Sequence, residues 1–146
     1  MTGEKLKAAF LATEVFVDLD GADSLEQWID ASEVAGRLGG PLFVLTAHNP
    51  ASEVRPDAEN EQQNAALKAD IEALGFAPYD AIGKSPDGSW FEPGFALIGV
   101  DLATANELGK KYGQHAIFEI HPDRVIVQAC DGSYRRERPA GKANPG

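Results

Sequence analysis

The chain has 146 residues, 43% of them hydrophobic and 25% charged, with a formal net charge of −10 and one cysteine, Cys130. That length suffices for one domain with a buried core, and a single cysteine excludes an internal disulfide and a cysteine-based zinc site. The charge opposes binding to a phosphate backbone, so no nucleic-acid partner is expected. No apolar run reaches the roughly 20 residues that span a bilayer, and MTGEKLKAAFLATE lacks the apolar core of a signal peptide. A cytoplasmic protein with no membrane partner is therefore expected.

Residues 3–12 suit a short helix, with Leu6 and Phe10 on one face. Val15, Val17 and Leu19 alternate with Phe16, Asp18 and Asp20, the pattern of a short edge strand. Ser24 and Gln27 fit a capping box for a helix over 24–38, with Leu25, Trp28, Ile29 and Ala35 as its apolar side and Gly39-Gly40 as its end. Over 41–47, Leu42-Phe43-Val44-Leu45 is an unbroken apolar run that passes into Thr46, His48 and Asn49 before Pro50 stops it. Such a run reads as a strand buried on both faces. Residues 57–74 form the clearest helix, with Asp57 as N-cap, Glu59 in the first turn and Gly75 after the end. Its stripe of Leu67, Ile71 and Leu74, extended backwards, lands on Asn64 and Asn60; the five positions lie within roughly 80° of one another. Those amides either hold the preceding loop or line a ligand site.

Residues 76–83 suit a strand whose Pro78 argues for an edge. Ser85-Pro86-Asp87-Gly88 is a turn, followed by Trp90, Phe91, Glu92 and Pro93-Gly94. A second unbroken apolar strand is predicted at 95–100, a helix at 102–112 ended by Gly113, and a hairpin of strands 116–120 and 125–129 around the turn at 121–124. After Asp131 little remains to pack. Residues 1–130 therefore read as one α+β domain and 131–146 as a flexible tail, with Arg135-Arg136-Glu137-Arg138 solvated.

From residue 41 the order strand, helix, strand, strand, helix, strand is that of a ferredoxin-like split β-α-β core. The fold class is α+β, with a mainly antiparallel sheet, an N-terminal helix and strand extension and an extra C-terminal hairpin strand. Its first and third strands are central, matching the two unbroken apolar runs. Runs apolar on both faces need a second cover, supplied by the segments at 3–12 and 24–38 or by a homodimer partner. This topology brings Asn49, the turn at 85–89, Trp90 to Pro93, Gln114, His115, Asn60 and Asn64 to one rim.

The chemistry of that rim is mostly neutral. Ser52 or Ser85 with His48 or His115 forms no nucleophile elbow. Asp87, Glu92, Glu59 and His115 lack metal-ligand spacing, and no phosphate loop is present. No metal or cofactor is expected. Thr46, Asn49, Ser52, Asn60, Asn64, Ser85 and Gln114 offer hydrogen bonds suited to a small polar or nucleotide-like ligand, with Trp90 to stack on it. Glu92, and after it Asp87, is the candidate general acid or base, because Trp90 and Pro93 flank Glu92 and desolvate it. Three readings follow: a ligand-binding domain, an interaction or structural module whose polar motifs satisfy one another, and a hydrolase or transferase using Glu92 or Asp87.

The motifs TAHNPASE, the helix start ENEQQNAAL, GKSPDGSWFEPGF and LGKKYGQHAIFE resemble those of a bacterial family known as domain of unknown function 3293, over roughly residues 10 to 130. The family name carries no activity, so the resemblance implies a shared site and no particular reaction.

Overall fold

The computed structural model describes residues 3–49 and 53–140. Four helices, α1 (Gly3–Ala12), α2 (Ala31–Leu38), α3 (Asp57–Ala73) and α4 (Leu102–Lys111), are found among them. Eight strands form one curled antiparallel sheet: β1 (Glu14–Val17), β2 (Ile29–Asp30), β3 (Leu42–Leu45), β4 (Tyr79–Lys84), β5 (Phe91–Ile98), β6 (Ala116–Ile120), β7 (Arg124–Ala129) and β8 (Arg135–Pro139). Their spatial order is β2-β1-β4-β5-β3-β6-β7-β8. The two apolar runs, β3 and β5, are thus central neighbours, paired from Leu42↔Ile98 to Leu45↔Phe95.

Alternation along the strands sorts the core into two layers. Leu42 and Val44 face one side with Val15, Val17, Ala96, Phe118, Ile120 and Val127, against Val34 and Ala35 of α2 and Phe10 and Leu11 of α1. Phe43 and Leu45 face the other with Phe95, Leu97 and Ile117, against Leu67 and Ile71 of α3 and Ala105 and Leu108 of α4. The second cover is therefore this chain's own N-terminal region.

Several elements differ from their expected form. The segment 24–38 is not one helix: a 3-10 turn at Leu25–Gln27 is followed by β2, and α2 begins only at Ala31. Ser24 makes no capping bond, and Gln27 Oε1 instead accepts from the Asp23 amide at 3.0 Å. The true cap is Asp30, whose carboxylate accepts from Ser32 N at 3.1 Å. An Asp competing for backbone amides starts a new helix there, and leaves Ile29 extended to pair with Val17. In α3, Asp57 lies inside the first turn, and the capping position is Pro56. Strand β4 is interior, between β1 and β5, because Pro78 precedes its first residue and removes no ladder bond.

Past Asp131 the chain is not a tail. Tyr134 is buried, and β8 pairs with β7 from Arg124↔Pro139 to Gln128↔Arg135. Two of the three arginines there have partners in the fold: Arg135 donates to Glu119 Oε2 at 2.9 Å and Arg138 to the Thr13 carbonyl at 2.8 Å. A strand this polar was masked in the sequence because its apolar partner is β7. The remainder of the expected tail, 141–146, lies outside the described residues.

Strand β5 begins at Phe91, earlier than its apolar run, and passes through Pro93 and Gly94. Gly94 is needed where it stands: a Cβ there would lie 2.4 Å from the Leu45 carbonyl oxygen and 3.1 Å from Thr46 Cβ. Gly94→Ala should therefore cost about 2 kcal/mol or more in denaturant unfolding. Gly83→Ala, whose Cβ would meet only Thr13 Cγ2 at 3.2 Å, should cost less. Equal effects would mean that the β3–β5 approach is looser than described.

Candidate functional site

The site begins where β3 leaves β5. The ladder between them stops at Leu45↔Phe95, so the backbone of 46–49 and the Pro93 carbonyl lose strand partners. Side chains replace them. Thr46 Oγ1 donates to Pro93 O at 2.6 Å, and Asn64 Nδ2 donates to the same oxygen at 2.9 Å. Asn64 Oδ1 accepts from Ala47 N at 2.8 Å. One turn earlier on α3, Asn60 Oδ1 accepts from Asn49 N at 2.9 Å and Asn60 Nδ2 donates to Asn49 Oδ1 at 2.9 Å. Gln114 Nε2 donates to the His48 carbonyl at 3.0 Å.

These bonds hold Asn49 at φ 46, a left-handed conformation that Asn tolerates better than most residues. So placed, Asn49 Nδ2 donates to Glu92 Oε2 at 3.1 Å. The polar clusters at 46–49, 60–64, 85–92 and 114, far apart in sequence, meet as the topology predicts. Asn60 and Asn64 are buried and committed to backbone and loop groups. With His48 and Phe91 they also border a more open outer depression. Ser52 lies outside the described residues.

Beside them, under α1, is a cavity of about 330 Å³. It exists because the sheet residues facing α1 there are small: Ala81 and Gly83 of β4, Gly94 of β5 and Ala116 of β6. Leu6, Phe10, Val44 and Phe118 complete its apolar wall. Its polar groups are Thr13, Thr46, Asn49, Ser85, Ser89, Trp90, Glu92 and Gln114, with no Lys, Arg or His among its described lining residues. Six of the sequence candidates (Thr46, Asn49, Ser85, Trp90, Gln114 and Glu92) therefore share one cavity, whereas Asn60 and Asn64 face the other side of the sheet. The contribution of α1 was not foreseen. The signal that could have found it is the succession of Ala and Gly at alternate positions 81, 83, 94 and 96, which leaves a sheet face without bulk.

The two carboxylate candidates are in opposite environments. Asp87 is exposed and turned into its own loop. It accepts from Ser85 Oγ at 2.7 Å, Ser89 N at 3.0 Å and Ser89 Oγ at 2.8 Å. These bonds, the Ser89 amide first, hold its pKa down at about 2, which makes Asp87 a brace of the turn and a poor proton donor. Glu92 is half-buried on the cavity wall. Burial pushes it up to about 7, while donors on Asn49 and Trp90 pull the other way. His48, expected as a possible base, is lowered chiefly by burial, and lines the outer depression. Cys130 is buried in the α3/α4 layer, and burial raises its thiol to about 11, so it packs as a small apolar side chain.

The family described as protein of unknown function (DUF3293) matches residues 45–117, half of the chain. The chain belongs to that family. The matched segment runs from the end of β3 to the start of β6 and holds the Asn brace, the Ser85–Ser89 turn, Glu92 and Gln114. No curated protein and no solved structure matches the chain. Among the described residues no helix is long and apolar enough to cross a membrane, and no group of three His, Cys, Asp or Glu is placed to hold a metal ion.

Two outcomes check this geometry. Asn64→Ala strips partners from Ala47 N and Pro93 O and should destabilise the fold by about 2–4 kcal/mol in denaturant unfolding; a loss under about 0.5 kcal/mol would deny the brace. Glu92 supplies a pH signature. Its pKa rises on folding from 4.5 to about 7, so the folded state binds more protons in that interval and this group's contribution to stability falls as pH rises through it. Glu92→Gln removes the effect. Relative to the native chain, the variant should gain up to roughly 3 kcal/mol on going from pH 4.5 to pH 8. A pH-independent difference would contradict the burial of this carboxyl.

Proposed function

We propose that the chain is a small-molecule-binding domain whose site is the cavity between α1 and the sheet. One observation carries this reading: a single carboxyl, Glu92, stands on the wall of a largely apolar cavity of about 330 Å³ whose other described lining residues are uncharged. That volume is at the lower end of ligand pockets, which are typically apolar with a few convergent polar groups. Glu92, Asn49 and Gln114 would meet the polar end of the ligand, and Phe10, Val44 and Phe118 its body. The amide-rich rim contributes through Asn49 and Gln114, while Asn60 and Asn64 act behind it by fixing the loop. A ligand with an apolar body fits this wall better than a wholly polar one.

A second reading is favoured by the same carboxyl. A group titrating near 7 suits general acid or base work at neutral pH, so in a hydrolase or transferase Glu92, and not Asp87, would move the proton. We also infer a ferredoxin-like plait for the segment from β3 to β6, supported by the antiparallel order β4-β5-β3-β6. The absence of a long apolar helix among the described residues and the lone buried cysteine support a cytoplasmic location.

The test is a fragment screen by protein NMR on the full chain and on Ala81→Leu, which adds bulk to the cavity floor. Fragments with an apolar ring and one polar group should shift the resonances of Val44, Ala81 and Phe118, and the variant should lose those shifts while staying folded. Hits confined to the outer depression around His48 and Phe91, or hits indifferent to Ala81→Leu, would overturn the assignment of the site.

A further inference from the structure

The electrostatics of the cavity are incomplete. Asn49 Nδ2 donates to Glu92 Oε2 at 3.1 Å, and Trp90 lines the cavity beside the same carboxyl. Both act to favour its ionised form. A carboxylate drawn out of water is ordinarily matched by a cation as well, and none of the described groups lining the cavity can be one. The polar groups around Glu92 (Thr46, Asn49, Ser85, Ser89, Trp90 and Gln114) are all uncharged. Asp87 of the adjoining turn does not line the cavity, and its Oδ1 accepts bonds within its own turn. The wall thus gives the Glu92 carboxylate a polar donor but, among the described residues, no opposite charge to offset its burial.

We propose that the cavity takes a protonated amine carried on a flat apolar body, with Glu92 as its counter-charge; this rests on the reading of the cavity as a ligand site. Three features of the molecule agree with that chemistry. Phe10, Phe118 and the half-exposed Trp90 offer ring faces and edges to a flat body and to a cation. The net charge of −10 attracts cations and repels anions at long range. Among the described residues no basic side chain lines the cavity to receive a carboxylate or phosphate, so acidic ligands are disfavoured. An arriving ammonium also offers what Asn49 and Trp90 cannot, a full positive charge in a water-poor setting.

The test compares three probes of one shape by isothermal titration calorimetry on the full chain: tryptamine, the neutral alcohol tryptophol, and indole-3-propionate. Tryptamine should bind about tenfold or more tighter than tryptophol, and indole-3-propionate weakest. Glu92 is partly protonated near neutral pH and must ionise to pair with the ammonium. Tryptamine should therefore release roughly half a proton per site at pH 7, read as a dependence of the heat on buffer ionisation enthalpy. Glu92→Gln should abolish the tenfold preference and the proton release. If tryptophol or indole-3-propionate binds best, or binding takes up protons, the amine proposal is overturned while the cavity stands as a ligand site. If no probe binds at millimolar concentration, the amine proposal is likewise overturned, and the fragment screen with Ala81→Leu judges the site by itself.

Discussion

The carbonyl oxygen of Pro93 is the point on which the molecule turns. β3 and β5 are hydrogen-bonded as far as Leu45↔Phe95, and one residue further the ladder cannot continue. Pro93 has no N–H to offer, and Gly94 lets the Leu45 carbonyl come so close that any side chain would collide with it. A buried carbonyl left without a donor would cost about 1–3 kcal/mol. Thr46 and Asn64 supply two donors to it, and Asn64 closes the circuit by accepting from Ala47 N. The chain is thereby allowed to peel away from the sheet without leaving backbone groups unsatisfied. Everything at the candidate site follows from the direction in which it peels.

That direction brings Asn49 over the α1 face of the sheet, where Glu92 emerges two residues before Gly94. The alternation of β5 leaves little choice in the matter: if Phe95 and Leu97 face α3 and α4, then Glu92 faces α1. There it meets small residues and a helix that contributes only apolar atoms and Thr13. A fold optimised only for stability would not put a carboxyl there, because its charged form is disfavoured by roughly 3 kcal/mol relative to water. Local rules broken in this way, within an otherwise consistent structure, are characteristic of binding and catalytic sites. The mutually satisfied amides on the opposite face are a different case. They restore satisfaction, and their role is to hold the loop that presents Asn49.

Much of this was legible in the sequence. The runs Leu42-Phe43-Val44-Leu45 and 95–100 name the central strands, and their lack of alternation demands cover on both faces, which α3 and α4 provide on one and α1 and α2 on the other. The gathering of 46–49, 60–64, 85–92 and 114 follows from element order alone. Other features depend on contests that a linear reading does not decide. Asp30 overrides a helical pattern because its side chain captures the Ser32 amide. Strand β8 has no apolar signature, since Arg135 and Arg138 are held by Glu119 and the Thr13 carbonyl. Asn60 and Asn64 stand on a stripe that turns polar, but only their partners tell whether they face a ligand or the backbone. The cavity was hidden because it is made of what is missing: Ala81, Gly83, Gly94 and Ala116 come from three strands, and their smallness matters only once those strands share one sheet face.

The most direct measurement is the titration of the Glu92 side-chain carboxyl by carbon-detected NMR in the intact chain, with Asp87 as the internal contrast. The desolvated cavity wall predicts a midpoint near 7 for Glu92 and near 2 for Asp87. A Glu92 midpoint near 4.5 would mean that water reaches this carboxyl freely, and the account of the cavity wall as a desolvating setting for one carboxyl would be wrong.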